Sequence, residues 1–291
     1  MDIGVGLPMK ALRRDELTAF ARQVEDGPFD SISLGQRLTF ESNDPMIALT
    51  FVAAITNRIR LLTSVLCLPY HREGVTGQQA ATLDRLSEGR FSFGIGLGGR
   101  ASDFAVAPAP FERRGEQFEA QVLALRRMWR GEAAFDGTEG VGPTPFTPGG
   151  PELIFGVFAP KGLQRAGRLG DGIRSFSFSP QVDLHLERYA VVEQAWAEAG
   201  RAGRPKLITA THFALGPDAR RTYEEHVRTY YGYSAEIMAQ ALTDDAPTSP
   251  DKVLATIERF EAAGIDELVF TATTADTMDA VDRLAEVVAA R

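Results

Sequence analysis

The stretch that most limits what this chain can become runs from Leu61 to Arg100. Leu61 to Leu68 is an almost unbroken apolar run, interrupted only by Thr63 and Ser64, as expected of a strand buried on both faces. Pro69 ends it. From Thr76 onward Ala80, Ala81, Leu83 and Leu86 recur at helical spacing, and Gly89 supplies a C-terminal stop. Phe91 to Gly96 then alternates into another strand that runs out into Gly96, Gly98 and Gly99. Two buried strands joined by an amphipathic helix make a parallel crossover unit, and glycines at a strand's carboxyl end allow the backbone to approach a ligand closely.

The same unit recurs along the chain. Asp2 to Leu7 reads as a strand stopped by Pro8, and Leu17, Phe20, Ala21 and Val24 give the next helix its apolar face. Asp30 to Leu34 is the second strand, followed by a polar loop from Gly35 to Asn43. Asp44-Pro45 is an N-cap with proline at the first helical position, opening a helix to Ile55. Beyond the glycine loop, Glu112 to Trp129 carries Phe118, Val122, Leu125 and Trp129 on one face, and Gly131 to Pro151 is irregular. Strands at Leu153 to Val157, Gly172 to Phe176, Leu207 to Leu215 and Leu268 to Ala272 then alternate with helices at Leu163 to Leu169, Pro180 to Ala199, after Pro217, Ser249 to Ala263 and Asp276 to Ala290. Strands thus begin near Ile3, Ser31, Leu61, Phe91, Leu153, Gly172, Leu207 and Leu268, each followed by a helix. The expected fold is a (β/α)8 TIM barrel forming one domain over residues 1–291, with an irregular insertion between strands 4 and 5. An open doubly wound sheet is the alternative, but its Gly-rich turn after the first strand is missing.

Composition narrows the partners. Thirty-one Lys and Arg against 39 Asp and Glu give a formal charge of -8, which argues against a nucleic-acid surface or an anionic membrane as the main partner. No apolar segment approaches the length of a membrane span, and the opening residues read as a strand rather than a leader, so a cytoplasmic location is expected. The single cysteine, Cys67, excludes an internal disulfide and any multi-cysteine metal centre. His71 and His212 lie near strand ends and His185 and His226 in helical stretches, none at metal-ligand spacing, so no metal site is expected. A G-x-S-x-G elbow is also lacking.

A phosphate site is legible. Phe155 to Gly162 is a strand leading through Ala159-Pro160-Lys161-Gly162 into a helix, which places the backbone N–H groups of Lys161 and Gly162 at a helix N-terminus and adds the Lys161 charge. An ordinary capped barrel helix explains the same residues equally well on this segment alone. Together with the Gly96 to Gly99 loop it suggests a phosphate-bearing cofactor across the barrel mouth.

The run LD-x-LS-x-GR of Leu83, Asp84, Leu86, Ser87, Gly89 and Arg90, leading into a strand and G-x-G, with the segment Ile154 to Ile173 downstream, resembles the bacterial-luciferase-like family of flavin and deazaflavin oxidoreductases. The resemblance covers essentially the whole chain and implies the same barrel. It implies reduced FMN or 8-hydroxy-5-deazaflavin (coenzyme F-420) as cofactor, with its ring on Leu7, Ser64, Val65, Leu97 and Gly98 and its phosphate on Ala159, Lys161, Gly162 and Arg165. Ser64-Val65 falls where the family often has a non-prolyl cis peptide. Asp84 and Arg90 are expected to hold neighbouring units together. His71 and Gln36 are the candidate catalytic residues, His71 as proton donor, and Arg37, Tyr70 and His212 the candidate substrate contacts, while Gly131 to Pro151, Phe178 and Tyr230 to Tyr233 are expected to wall the pocket. Deazaflavin-dependent dehydrogenases of the family usually carry Asp-His after the second strand, where this chain has Leu34-Gly35-Gln36, and an acid after the fourth-strand G-x-G, where it has Gly99 and Arg100. Without those groups alcohol oxidation lacks its usual base, which leaves oxygenation by a reduced flavin as the expected reaction. Hydride transfer with the deazaflavin and a non-catalytic flavin-binding subunit are the alternatives. A small-molecule substrate, a separate flavin or deazaflavin reductase and a homodimer complete what the resemblance implies.

Overall fold

Parallel strands and helices alternate through the chain, and the last strand pairs with the first. The computed structural model describes residues 1–107, 109–177, 181–231, 235–274 and 276–291, without the side chains of 235–237. The strands are β1 (Asp2–Gly6), β2 (Ser31–Leu34), β3 (Arg60–Thr63), β4 (Leu66–Cys67), β5 (Phe91–Gly96), β6 (Glu152–Gly156), β7 (Gly172–Arg174), β8 (Lys206–Phe213) and β9 (Glu267–Ala272). The α-helices are α1 (Arg14–Asp26), α2 (Pro45–Ile55), α3 (Glu73–Leu86), α4 (Ala101–Val106), α5 (Arg114–Trp129), α6 (Pro160–Leu169), α7 (Val182–Glu198), α8 (Ala219–Tyr231), α9 (Ala235–Ala241), α10 (Pro250–Ala262) and α11 (Thr277–Ala289). β9 pairs with β1 from Asp2↔Glu267 to Gly6↔Thr271, closing an eight-stranded barrel in which β4 is the continuation of β3. The expected TIM barrel is the observed one. Residues Phe178, Gly232 and Tyr233, expected near the pocket, lie outside the described residues.

The third strand departs from its expected form. Instead of running unbroken from Leu61 to Leu68 it stops at Thr63, passes through a cis Ser64-Val65 peptide, and resumes as β4 before a 3-10 turn at Leu68–Tyr70. The neighbouring strands leave room for this bulge by having no side chain there. A Cβ on Gly94 would stand 1.7 Å from the Thr63 carbonyl oxygen, and one on Gly156 would stand 2.6 Å from Val65 Cγ1. Hydrogen bonds from the buried Gln121 amide to the carbonyls of Leu68 (3.2 Å) and His71 (2.7 Å) fix the turn that follows.

Inside the barrel the layers differ in polarity. At the amino ends of the strands, the fully buried Glu267 pairs with Arg60 at 2.8 Å, and Lys206 lies 3.5 Å from Glu152. Leu62, Ile154, Ile208, Ala210 and Val269 form the apolar layer above this ionic plug. A second, larger core lies between strands and helices, as the inward and outward parities of a parallel barrel require.

The irregular insertion does not wall the pocket. It connects the end of α5 to the start of β6, and a helix-to-strand connection in such a barrel lies at the amino-terminal face, away from the mouth. Thr147 docks it there, donating its backbone N–H (2.7 Å) and Oγ1 hydroxyl (2.9 Å) to the buried Asp84 carboxylate. Arg90 reaches the Ala53 and Thr56 carbonyls at 3.1 and 3.0 Å, tying the approach to β5 to the end of α2. Asp84 and Arg90 are thus framework residues. Among the described residues no helix is long and apolar enough to cross a membrane.

Candidate active site

Above the apolar layer the barrel opens into a cavity of about 510 Å³, within the range of small-molecule sites. The strands from β1 to β6 give it small or neutral residues, including Gly6, Leu7, Gly35, Gln36, Ser64, Val65 and Gly156. Those from β6 onward give Phe158, Arg174, Phe176, His212 and Thr271, and Arg37, Arg100, Arg188 on α7, Tyr230 and Tyr231 also line it.

Gln36 is held in one orientation. Its Oε1 accepts the Cys67 backbone N–H at 3.0 Å, which fixes oxygen and nitrogen of the amide. The same oxygen lies 3.0 Å from His71 Nε2, so the imidazole must be the donor. Burial pushes the His71 pKa below its ordinary value against the opposing pull of Asp44, leaving a neutral ring with its Nε2–H committed to Gln36. The Gln36 Nε2 has no hydrogen-bond partner among the described residues. Neither has the buried Ser64 Oγ on the same wall.

This wall suits a flat, polar-edged ring. Glycine backbone, Leu7 and Val65 offer a shallow apolar surface, Ser64 Oγ is buried without a partner, and Gln36 brings an amide to the lining. Those are the requirements of an isoalloxazine or deazaflavin ring.

The sequence model of the luciferase-like monooxygenase family matches residues 1–290. The chain belongs to that family. An uncharacterised protein of Mycobacterium tuberculosis is 31% identical over 173 residues, 57% of this chain and 60% of its own length. The F420-dependent glucose-6-phosphate dehydrogenase of Beutenbergia cavernae is 27% identical over 310 residues, covering 93% of this chain and 91% of that one. By structure, the oxygenating constituent of 3,6-diketocamphane monooxygenase from the CAM plasmid of Pseudomonas putida, in complex with FMN, superposes with a TM-score of 0.74 at 18% identity over 100% of this chain and 98% of that one. The chain thus resembles an F420-dependent enzyme by sequence and an FMN-bound one by fold.

Of the residues the luciferase-like resemblance singled out, the cavity brings together Leu7, Gln36, Arg37, Ser64, Val65 and His212. Tyr70 and His71 are not among its lining residues. The turn after β4 carries Tyr70 against Phe104, at 4.7 Å between ring centres, and sets His71 behind Gln36. Leu97 and Gly98 follow β5 outside the lining, Gly98 lying against the hydroxyl end of Tyr70. The phosphate candidates sit apart from the cavity at the N-terminus of α6. Ala159 provides no side-chain cap, and the Gly162 N–H turns back to the Ala159 carbonyl at 2.8 Å, leaving the Lys161 amide and its exposed side chain to meet an anion. Arg165 is engaged elsewhere, its Nε 3.0 Å from Glu119.

Four arginines escaped the sequence reading or were understated by it. Arg37 pairs with Asp103 at 3.1 Å and donates to the Tyr230 hydroxyl at 3.0 Å. Burial alone would raise the Asp103 pKa, but hydrogen bonds from Thr39 and the Arg37 charge outweigh it and hold the carboxyl below its usual range. The acid near the fourth strand thus exists, on α4, and is spent on a loop clamp. Arg100 lies over the Tyr230 ring at 5.1 Å, and Arg188 donates to Ser175 Oγ at 2.9 Å. Arg174 ends β7; the alternation Gly172, Arg174, Phe176 was the available signal, since it gives all three one parity in the strand. His212 approaches the Tyr231 hydroxyl at 3.1 Å. Burial, then the neighbouring His226, push its pKa down to about 3, so it is neutral and weakly basic at pH 7. No cluster of three or more His, Cys, Asp or Glu suited to a metal occurs among the described residues.

Proposed function

We propose that this chain is a reduced-flavin-dependent monooxygenase acting on a small organic substrate with O2. The observation that carries the reading is the cavity's lack of a competent base. Its described lining residues contain no Asp or Glu, Asp103 is tied to Arg37, and His212 is weakly basic. Reduced FMN, when bound, supplies the activation of O2, which asks little acid–base work of the protein. The chain's own part is to bind and orient. Ser64, Val65, Leu7 and Gly35 would hold the ring, Gln36 would donate its Nε2–H to a ring acceptor, and His71 would keep that amide aimed. Lys161 and the first turn of α6 would hold the phosphate. Phe158, Phe176 and the tyrosines would exclude water around the substrate. A separate reductase would deliver the reduced flavin.

Hydride transfer with the deazaflavin coenzyme is the second reading, supported by the likeness to the F420-dependent dehydrogenase over 93% of the chain. Stopped-flow mixing of the protein with reduced FMN or reduced F420, followed by O2, separates the two. The first reading expects FMN reoxidation whose rate saturates with protein concentration, and no protein-dependent oxidation of the deazaflavin. Binding and turnover of F420 alone would replace it. Lys161→Glu should weaken FMN about tenfold; unchanged affinity for both cofactors would move the phosphate elsewhere.

A further inference from the structure

We propose that the substrate carries a carboxylate group and that Arg174 is its anchor. The proposal rests on the reading of this cavity as a flavin and substrate site, and it assigns the substrate's share.

Arg174 points into the barrel. Its register partners are Gly156, whose absent Cβ would face Val65, and Ile208 of the interior apolar layer. It lines the cavity but makes no hydrogen bond or ion pair with any described residue, and its Nε is buried without a partner. Two other inward arginines are paired with carboxylates. Arg60 has both Asp2 and Glu267 at 2.8 Å, and Arg37 has Asp103. Burial pushes the Arg174 pKa down to about 10, with Tyr231 and Glu267 only partly opposing it. A half-buried guanidinium whose Nε is closed off from water without a partner is costly to keep, and a carboxylate brought in by the substrate would offset that cost.

The chemistry of that counter-ion follows from the donors. A guanidinium presents parallel N–H groups matched to the two oxygens of a carboxylate. The described lining residues include four arginines and no acid, in a chain of net charge -8, which makes the mouth an attractor for anions against the protein's overall field. Arg37 is paired with Asp103 and Arg188 donates to Ser175 Oγ, whereas Arg174 makes neither kind of contact with a described residue, and its single guanidinium matches a single carboxylate. Phe158, Phe176, Tyr230 and Tyr231 provide an apolar, aromatic surround for the rest of the molecule.

Benzoate and benzamide are the probes, equal in shape and different in charge. Calorimetric titration of the purified protein, with and without FMN, should give benzoate about tenfold tighter binding than benzamide. Arg174→Gln should abolish the preference and Arg174→Lys should keep part of it. Both Arg174→Gln and Arg174→Met should melt no lower than the unaltered protein, because each removes a half-buried charge that has no ion pair among the described residues. Equal binding of the two probes, or a preference that survives Arg174→Gln, would overturn the proposal. So would a loss of FMN affinity with no benzoate preference in the unaltered protein, which would assign Arg174 to the cofactor. Unfolding of both the Gln and Met variants would make Arg174 structural and also overturn it. Because the preference is read by binding, it can stand while the stopped-flow reoxidation experiment fails, or fall while that experiment succeeds.

Discussion

Gly156 is where one missing methyl group decides the shape of the site. Its hypothetical Cβ falls 2.6 Å from Val65 Cγ1, with the bulge backbone on the far side already seated where Gly94 has no side chain. In Gly156→Ala either Val65 or the strand must move, an overpacking that costs about 1–3 kcal/mol. The expected result is a lower melting temperature and FMN affinity reduced about tenfold, both largely restored in the double variant with Val65→Ala. An unaltered FMN affinity in Gly156→Ala would separate the bulge from the ring site. At this scale the resemblance to the luciferase-like family pointed to Leu7, Gln36, Arg37, Ser64, Val65 and His212, which the cavity brings together. Arg174 was missed although Gly172, Arg174 and Phe176 share one parity, because three residues of strand do not tell which parity faces inward, and that is set by the register with Gly156 and Ile208. Nor could the sequence place His71, whose position depends on a turn that Gln121 stabilises from another helix.

The elements themselves were the most legible level. All eight barrel strands begin within a residue or two of their expected starts, because buried parallel strands are apolar runs between turn residues. Helix α2 keeps its expected limits through the Asp44 cap, whose carboxylate accepts the Ile47 N–H at 3.0 Å. Helix α4 was missed since six residues are too few for a helical period to register. The insertion was placed on the wrong face for a different reason: its irregular composition resembles an active-site loop, but its place after a helix puts it at the opposite end of the barrel. Asp84→Ala tests that placement. The variant loses both Thr147 hydrogen bonds to a buried carboxylate and should be destabilised by about 1.5–3 kcal/mol. FMN affinity should stay as it was. A parallel loss of cofactor binding would mean that the insertion communicates with the mouth.

Across the whole molecule, acid acts on burial more than on ion pairs. All four histidines have pKa values pushed below the ordinary value, with burial as the first cause in each, and His185 and His212 reach about 3. His185 is fully buried between Ser177 Oγ at 2.9 Å and Thr209 Oγ1 at 3.0 Å, with the Phe260 ring against it and Arg188 on its own helix adding repulsion to a positive charge. The folded chain therefore keeps this ring neutral through a range in which the unfolded chain protonates it. Stability is complete above pH 6.5 and is lost as pH falls from there toward about 3, because the unfolded state binds more protons over that interval. Each such histidine contributes a slope of about 1.4 kcal/mol per pH unit. Asp103, whose folded pKa is lowered, adds loss in the same direction only below the ordinary carboxylate range. The barrel should thus begin to weaken near pH 6, well before its carboxylates titrate. Denaturant midpoints measured from pH 7 to pH 5 check this: the unaltered protein should fall steadily, and His185→Gln should fall less, by about 2 kcal/mol over the interval. A profile that stays level to pH 5, or one that His185→Gln leaves equally steep, would show that the histidines are protonated within the fold and that the barrel interior admits water where it is described as closed.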